Sequence, residues 1–179
     1  ETDFKRAEKE KWAIGQFNIS NLEILKAVIS AAKNLKSPVI IGTSQRESEF
    51  IGLEQAVALV NVIKKETGIP IILNLDHGRS FDYIKRAIEA GYDAVHFDGS
   101  RLPLKENIKE TEKVVKYAKK FGVLVEGEVG MIETDSSKLY KKKFKIREED
   151  LTNADDAKNF IKNTRVDSLA VSIGTFHGI

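Results

Sequence analysis

The 179-residue chain contains no cysteine. Disulfides and thiolate chemistry are thereby excluded, and any metal must be held by His, Asp or Glu. No apolar run approaches the ~20 residues needed to cross a bilayer as a helix. Nor is there an excess of one charge, and a net charge of +2 gives no support for a nucleic-acid partner. The first residues, ETDFKRAEKEKW, are charged and hold no apolar h-region of the signal-peptide kind. The expectations are no membrane, no nucleic acid and a cytoplasmic location. A hydrophobic content of 41% and a charged content of 31% are those of an ordinary globular domain, long enough to bury a core.

What is present is a repeated alternation of short apolar strands with amphipathic helices. Strands are expected at Ala13–Phe17, Val39–Ile41, Ile71–Leu75, Ala94–Phe97, Val123–Glu126 and Ser168–Val171. Helices are expected at Leu22–Leu35, Leu53–Lys65, Phe81–Ala90, Leu104–Phe121 and Ala154–Thr164. Asn21 or Ser20 can cap the first of these helices. The phrases AGYDAV and TRVDSLAV mark helix-to-strand turns of one design. Continuously apolar strands alternating with helices imply a parallel sheet covered by helices. A complete eight-unit barrel takes ~250 residues, so six units in 179 residues keep a barrel's pace. A doubly wound open sheet is the rival, and it would gather its ligand groups at one switch point.

Polar residues stand at the C-terminal end of nearly every strand, which favours the barrel. Gln16 and Asn18 follow the first strand, Thr43 and Ser44 the second, and Asp76 and His77 the third. Asp98, Ser100 and Arg101 follow the fourth, Glu126 and Glu128 the fifth, and Thr175 and His177 the sixth. Parallel barrels build their active sites on this face. His, Asp and Glu there can hold a divalent ion, and amides and hydroxyls can orient a polyol. No lysine stands at a strand end, so nothing suggests a Schiff base.

The segments FNISN, LDHG, FDGS, EGEVG and AVSIGTFHG, in that order from about Trp12 onward, resemble those of class II aldolases. The pairing of DHG with IGTxHG is the specific part of the resemblance. It implies an α/β fold, a (β/α)8 TIM barrel with about the first six β/α units in this chain. It implies metal-dependent, reversible aldol cleavage of a ketose bisphosphate, foremost fructose 1,6-bisphosphate, to dihydroxyacetone phosphate and glyceraldehyde 3-phosphate. Residue by residue, the resemblance makes Asp76 the catalytic acid/base and makes His77 and His177 metal ligands. Asp98 and Glu128 match carboxylates of a second or alternative ion position. Asn18 and Ser44 match substrate contacts, and Gly178 a backbone contact to substrate or to a monovalent cation. Zn2+ or another divalent ion is the implied cofactor, a phosphosugar the implied substrate, and a homo-oligomer (dimer or tetramer) the implied assembly. Tagatose bisphosphate as substrate, or a non-catalytic barrel that only binds phosphosugar or metal, are the alternatives.

Three features depart from the family pattern. The resemblance implies a third metal-binding histidine and phosphate-binding loops beyond Ile179, so residues 1–179 are expected to be one barrel domain that is incomplete at its C-terminus. Residues 131–151 are expected to be a mobile active-site loop. Glu133, Glu148 and Glu149 are candidates for its catalytic glutamate, and the run Lys138–Lys145 reads as a solvated charge run or an attractor of phosphate. His96 shares strand parity with Asp98 and so points into the barrel, where a packed core histidine is expected. Glu126, on the same parity as Glu128, is expected to orient a ligand from behind.

Overall fold

A computed structural model describes residues 3–132 and 147–175 of the chain. Six strands form one sheet in the sequential order β1-β2-β3-β4-β5-β6, every adjacent pair parallel. They are β1 (Gln16–Asn18), β2 (Val39–Ser44), β3 (Ile71–Gly78), β4 (Ala94–Phe97), β5 (Leu124–Val129) and β6 (Ser168–Val171). The order never reverses, so the open doubly wound sheet is excluded. The sheet is a curled half-barrel with helices on its outer face.

The helices are α1 (Asp3–Glu10), α2 (Leu22–Leu35), α3 (Gln45–Ile51), α4 (Leu53–Thr67), α5 (Phe81–Ala90), α6 (Leu104–Ala118) and α7 (Ala154–Thr164), with a 3-10 turn at Glu148–Asp150. Asn21 caps α2 by accepting the Ile24 amide at 2.9 Å, as the sequence suggested. Two helices were not expected. One is α1, a charged segment whose only buried residue is Ala7. The other is α3, which opens on a reciprocal capping box between Ser44 and Glu47. The first strand also pairs later than expected, because Gly15 contributes only its carbonyl, accepting from Ile40 at 3.0 Å.

The core lies between sheet and helices. Leu73 and Leu75 of β3, Val95 of β4 and Val125 of β5 face outward against Ile84, Ala87 and Val114, all fully or almost fully buried. The alternate residues of each strand face inward, and this row carries the polar groups. The recurrent AGYDAV and TRVDSLAV phrases have a common physical role. Asp93 accepts the Leu73 amide at 2.7 Å and Asp167 accepts the Val125 amide at 2.9 Å. Each aspartate thus satisfies the preceding strand's backbone at the base of the sheet, where the ladder would otherwise start with an open donor.

Candidate active site

The inward row ends in a cavity of about 740 Å³ lined by Gln16, Asn74, Asp76, His77, His96, Glu126 and Glu128, among others. That volume suits a small ligand. Strand parity alone would send Asp76 and His77 to opposite faces of the sheet. Two backbone features overrule it. The pairing of β3 with β4 slips between Leu75 and Gly78, and His77 adopts a left-handed conformation with φ of 53°. An extra residue in that bulge re-aims the chain, so both side chains line the same cavity. A non-glycine residue held at positive φ costs roughly 1–2 kcal/mol, and such strain gathers at functional sites. Gly78 closes the bulge against Ile84 and Leu75, and an added Cβ would lie 2.7 Å from Ile84 Cγ1.

Asp76 is held from the β1 side. Asn18 Nδ2 donates to its Oδ2 at 2.8 Å and Gln16 Nε2 to its Oδ1 at 3.3 Å, while Asn74 Nδ2 donates to Gln16 Oε1 at 3.0 Å. To make these bonds, Asn18 must cross over β2. It does so above Gly42, its partner in the register, where an added Cβ would collide with Asn18 Oδ1. Gly42 is therefore part of the site through what it leaves empty. The available signal in the sequence is that a glycine inside a buried strand marks a close approach. Ser44 caps α3, and its Glu47 partner accepts from Asn18 Nδ2 at 3.4 Å.

Asp98 is positioned by its own loop. Ser100 donates to its Oδ1 through both hydroxyl (2.6 Å) and amide (3.2 Å), which leaves Oδ2 facing His77 Nδ1 at 3.1 Å. Glu128 Oε2 lies 3.7 Å from the same nitrogen. Of the expected grouping of Asp98 and Glu128 around His77 and His177, the described part is His77, Asp98 and Glu128, which offer ligand atoms within 4.8 Å of one another. His177, Gly178 and most of the expected 131–151 loop, including Lys138–Lys145, lie outside the described residues. His96 is buried, at 3% exposure, but its neighbours are not those of a packing residue. Its ring lies 4.6 Å from that of His77, with Nδ1 3.8 Å from Asp76 Oδ1 and Nε2 3.0 Å from Glu128 Oε2. Parity placed it inward; what it meets there depends on the register of three strands.

The cluster is strongly coupled. Burial alone would raise the Asp76 carboxyl, but His96, the charge of His77 and the Asn18 bond outweigh it and hold it at about 2. Burial likewise opposes ionisation of Asp98, whose contacts with His77 and Ser100 keep it well below the usual carboxylate range. His77 is raised above an ordinary histidine, burial being overcome chiefly by Asp98. His96 is pushed up to about 10 by Asp76, Glu128 and Glu126 against the same penalty. Three carboxylates (Asp76, Glu126 and Glu128) thus line one cavity with two imidazoles, and a fourth, Asp98, contacts His77 Nδ1. His96 Nε2 and Glu128 Oε2 are buried and face each other at 3.0 Å. The donor set as a whole fits a divalent cation accepting nitrogen and oxygen.

Replacing Gly42 with Ala tests the β1–β3 network. The new methyl displaces the flexible end of Asn18, so the fold should survive, with a melting temperature within a few degrees of the parent by circular dichroism. Turnover of the full chain should fall roughly tenfold or more, since one hydrogen bond to a charged group contributes ~1.5–3 kcal/mol. The sign of the pH effect follows from the depressed Asp76 carboxyl. Losing the Asn18 donor raises it from about 2, so the acid limb of the rate profile should move to higher pH.

A parallel half-barrel whose titratable side chains gather at the C-terminal strand ends has the architecture of barrel enzymes. Comparison with known proteins gives the family. The model of the class-II fructose-bisphosphate aldolases matches residues 2–179, and the chain belongs to that family. It is 39% identical over 175 residues to the 6-phospho-5-dehydro-2-deoxy-D-gluconate aldolase of Shouchella clausii, covering 96% of this chain and 58% of that protein. It is 36% identical to the fructose-bisphosphate aldolase of Helicobacter pylori, covering 97% of this chain and 56% of the relative. The crystal structure of the YdjI aldolase from Escherichia coli K12 superposes with a TM-score of 0.82 at 31% identity, covering 96% of this chain and 60% of that one. The chain therefore spans somewhat under two thirds of the length of these relatives.

Proposed function

We propose that the protein catalyses reversible, metal-dependent aldol cleavage of a phosphorylated ketose, with fructose 1,6-bisphosphate as the foremost substrate. The observation that carries this reading is the Asp76–His77 pair, turned by a left-handed residue into one cavity beside Asp98 and Glu128. His77 and His177 are assigned as ligands of the catalytic ion, and Asp98 and Glu128 to an alternative position next to it. When bound, a divalent ion of the Zn2+ type supplies Lewis acidity toward the ketone oxygen.

The chain's own residues do the remainder. Asp76, ionised across the neutral range, takes the proton from the hydroxyl on the far side of the breaking carbon-carbon bond, and returns it in the condensation direction. Gln16 and Asn18 fix both of its oxygens, so the carboxylate need not be reoriented during reaction. Asn18 and Ser44 are assigned contacts to the substrate, and Gly178 the backbone contact to substrate or to a monovalent cation. Residues 131–151 are assigned the closing loop of a single barrel domain. A homo-oligomer in the cytoplasm, acting in sugar breakdown, completes the reading.

The substrate is the finer part of this assignment, since the relatives' names differ in it. The test is a panel assay of the Zn2+-loaded full chain. Fructose 1,6-bisphosphate, tagatose 1,6-bisphosphate and 6-phospho-5-dehydro-2-deoxy-D-gluconate are each coupled to detection of the triose product. The highest kcat/KM is expected for fructose 1,6-bisphosphate. A preference for another of the three would reassign the substrate, and no cleavage of any would favour a barrel that only binds.

A further inference from the structure

We propose that this chain builds an ion position from Asp76 Oδ1, His77 Nε2 and His96 Nδ1, a site for a divalent cation that accepts imidazole nitrogen. It goes beyond the aldolase reading, which gives His96 no role, and it does not use His177.

Three observations carry it. The first is proximity. Asp76 Oδ1 lies 4.0 Å from His77 Nε2 and 3.8 Å from His96 Nδ1, and the three residues offer ligand atoms within 4.8 Å of one another. Ligand atoms ~2.0–2.1 Å from a tetrahedral ion stand ~3.4 Å apart, so small side-chain rotations close the set.

The second is what stands behind each imidazole. A metal-bound histidine almost always turns its other nitrogen to a carboxylate, carbonyl or water, which fixes the ring and strengthens it as a ligand. Here both do so: His77 Nδ1 faces Asp98 Oδ2 at 3.1 Å, and His96 Nε2 faces Glu128 Oε2 at 3.0 Å. Two histidines present one nitrogen each toward Asp76 and the other to a separate carboxylate. Packing of a lone core histidine gives no reason for that arrangement.

The third is burial. His96 and Glu128 are each 3% exposed, and they face each other at 3.0 Å through Nε2 and Oε2. A buried imidazole and carboxylate are costly to hold unless both are engaged. An ion at Nδ1 takes the place of that nitrogen's proton and leaves the one on Nε2, where Glu128 accepts it. The same ion engages Asp76, so occupancy of this position and proton transfer by Asp76 exclude each other. The position is a resting one, and an excess of ion should compete with substrate.

The test reads ligands directly and needs no substrate, so its outcome is independent of the aldolase reading. The full chain is loaded with 113Cd2+, and a two-dimensional 113Cd–1H correlation spectrum identifies the histidine rings coupled to each ion. Residues 1–179 hold only three histidines. One cadmium resonance coupled to the ring protons of both His77 and His96 is expected, and it should persist in His177→Ala. His96→Asn keeps a donor near the Nδ1 position and should lose the His96 cross-peaks while retaining those of His77. A His96 ring coupled to no ion, or coupled only to an ion that His77 does not share, would overturn the proposal. The wild-type spectrum decides this even if the variant fails to fold.

Discussion

Aldol cleavage by the full chain is expected to fall roughly 10²–10⁴-fold in kcat when Asp76 is replaced with Ala, the contribution of a positioned proton-transfer group. The expectation rests on geometry before acidity. Asp76 is the residue on which donors from β1 converge, and it lines the cavity next to His77. Its carboxyl, held at about 2, is ionised at any pH where the protein would be assayed. Asp76→Asn should do equally poorly, because an amide keeps the shape and cannot take a proton. Stopped-time assays of triose release, with circular dichroism to confirm the fold, would measure the effect. Activity within tenfold of the parent would remove Asp76 from the reaction.

His77→Ala is expected to be as damaging for a different reason. His77 belongs to both groups of described residues able to hold an ion, so its loss weakens both positions together. Metal content after dialysis, read by mass spectrometry, should drop along with turnover. Lewis-acid stabilisation is worth several kcal/mol, and each ~1.4 kcal/mol is a decade in rate, so a loss on the order of 10²–10³-fold or more follows. Position 77 has a φ of 53°, a conformation that Asn adopts more readily than Ala. His77→Asn is the companion variant that separates loss of the ligand from backbone strain. Both variants should lose metal; an active variant with a full complement of ion would show that His77 is not a ligand.

Much of this molecule was legible in its residues. Leu22–Leu35, Phe81–Ala90 and Ala154–Thr164 are helices with the expected bounds, because each combines an apolar stripe with an Asn or Ser cap. The sequential parallel sheet followed from strands apolar on both faces and from the repeated aspartate turns. The missed pieces have identifiable physical causes. In α1 charged residues dominate, and α3 is seven residues squeezed between a strand and Gly52, too short for periodicity to show. Its capping box, Ser44 and Glu47, was the available signal. At the site, the sequence pointed to Asp76, His77, Asp98, Glu128 and Asn18 as a set, and the structure brings these five into one neighbourhood. Gly42 and the true surroundings of His96 were hidden, because both depend on the register of neighbouring strands. The register pairs Asn18 with Gly42 and His96 with Glu126, and no local pattern states that.

The central claim is that carbon-carbon cleavage at this site depends on an ion held beside Asp76. It is tested most directly by stripping the full chain of metal with a chelator and following cleavage of fructose 1,6-bisphosphate as Zn2+ is returned. No cleavage is expected before addition, followed by recovery that saturates near one equivalent of ion per active site, with borohydride and substrate leaving the activity intact. Cleavage by the metal-free protein, or inactivation by borohydride through a trapped lysine imine, would contradict it.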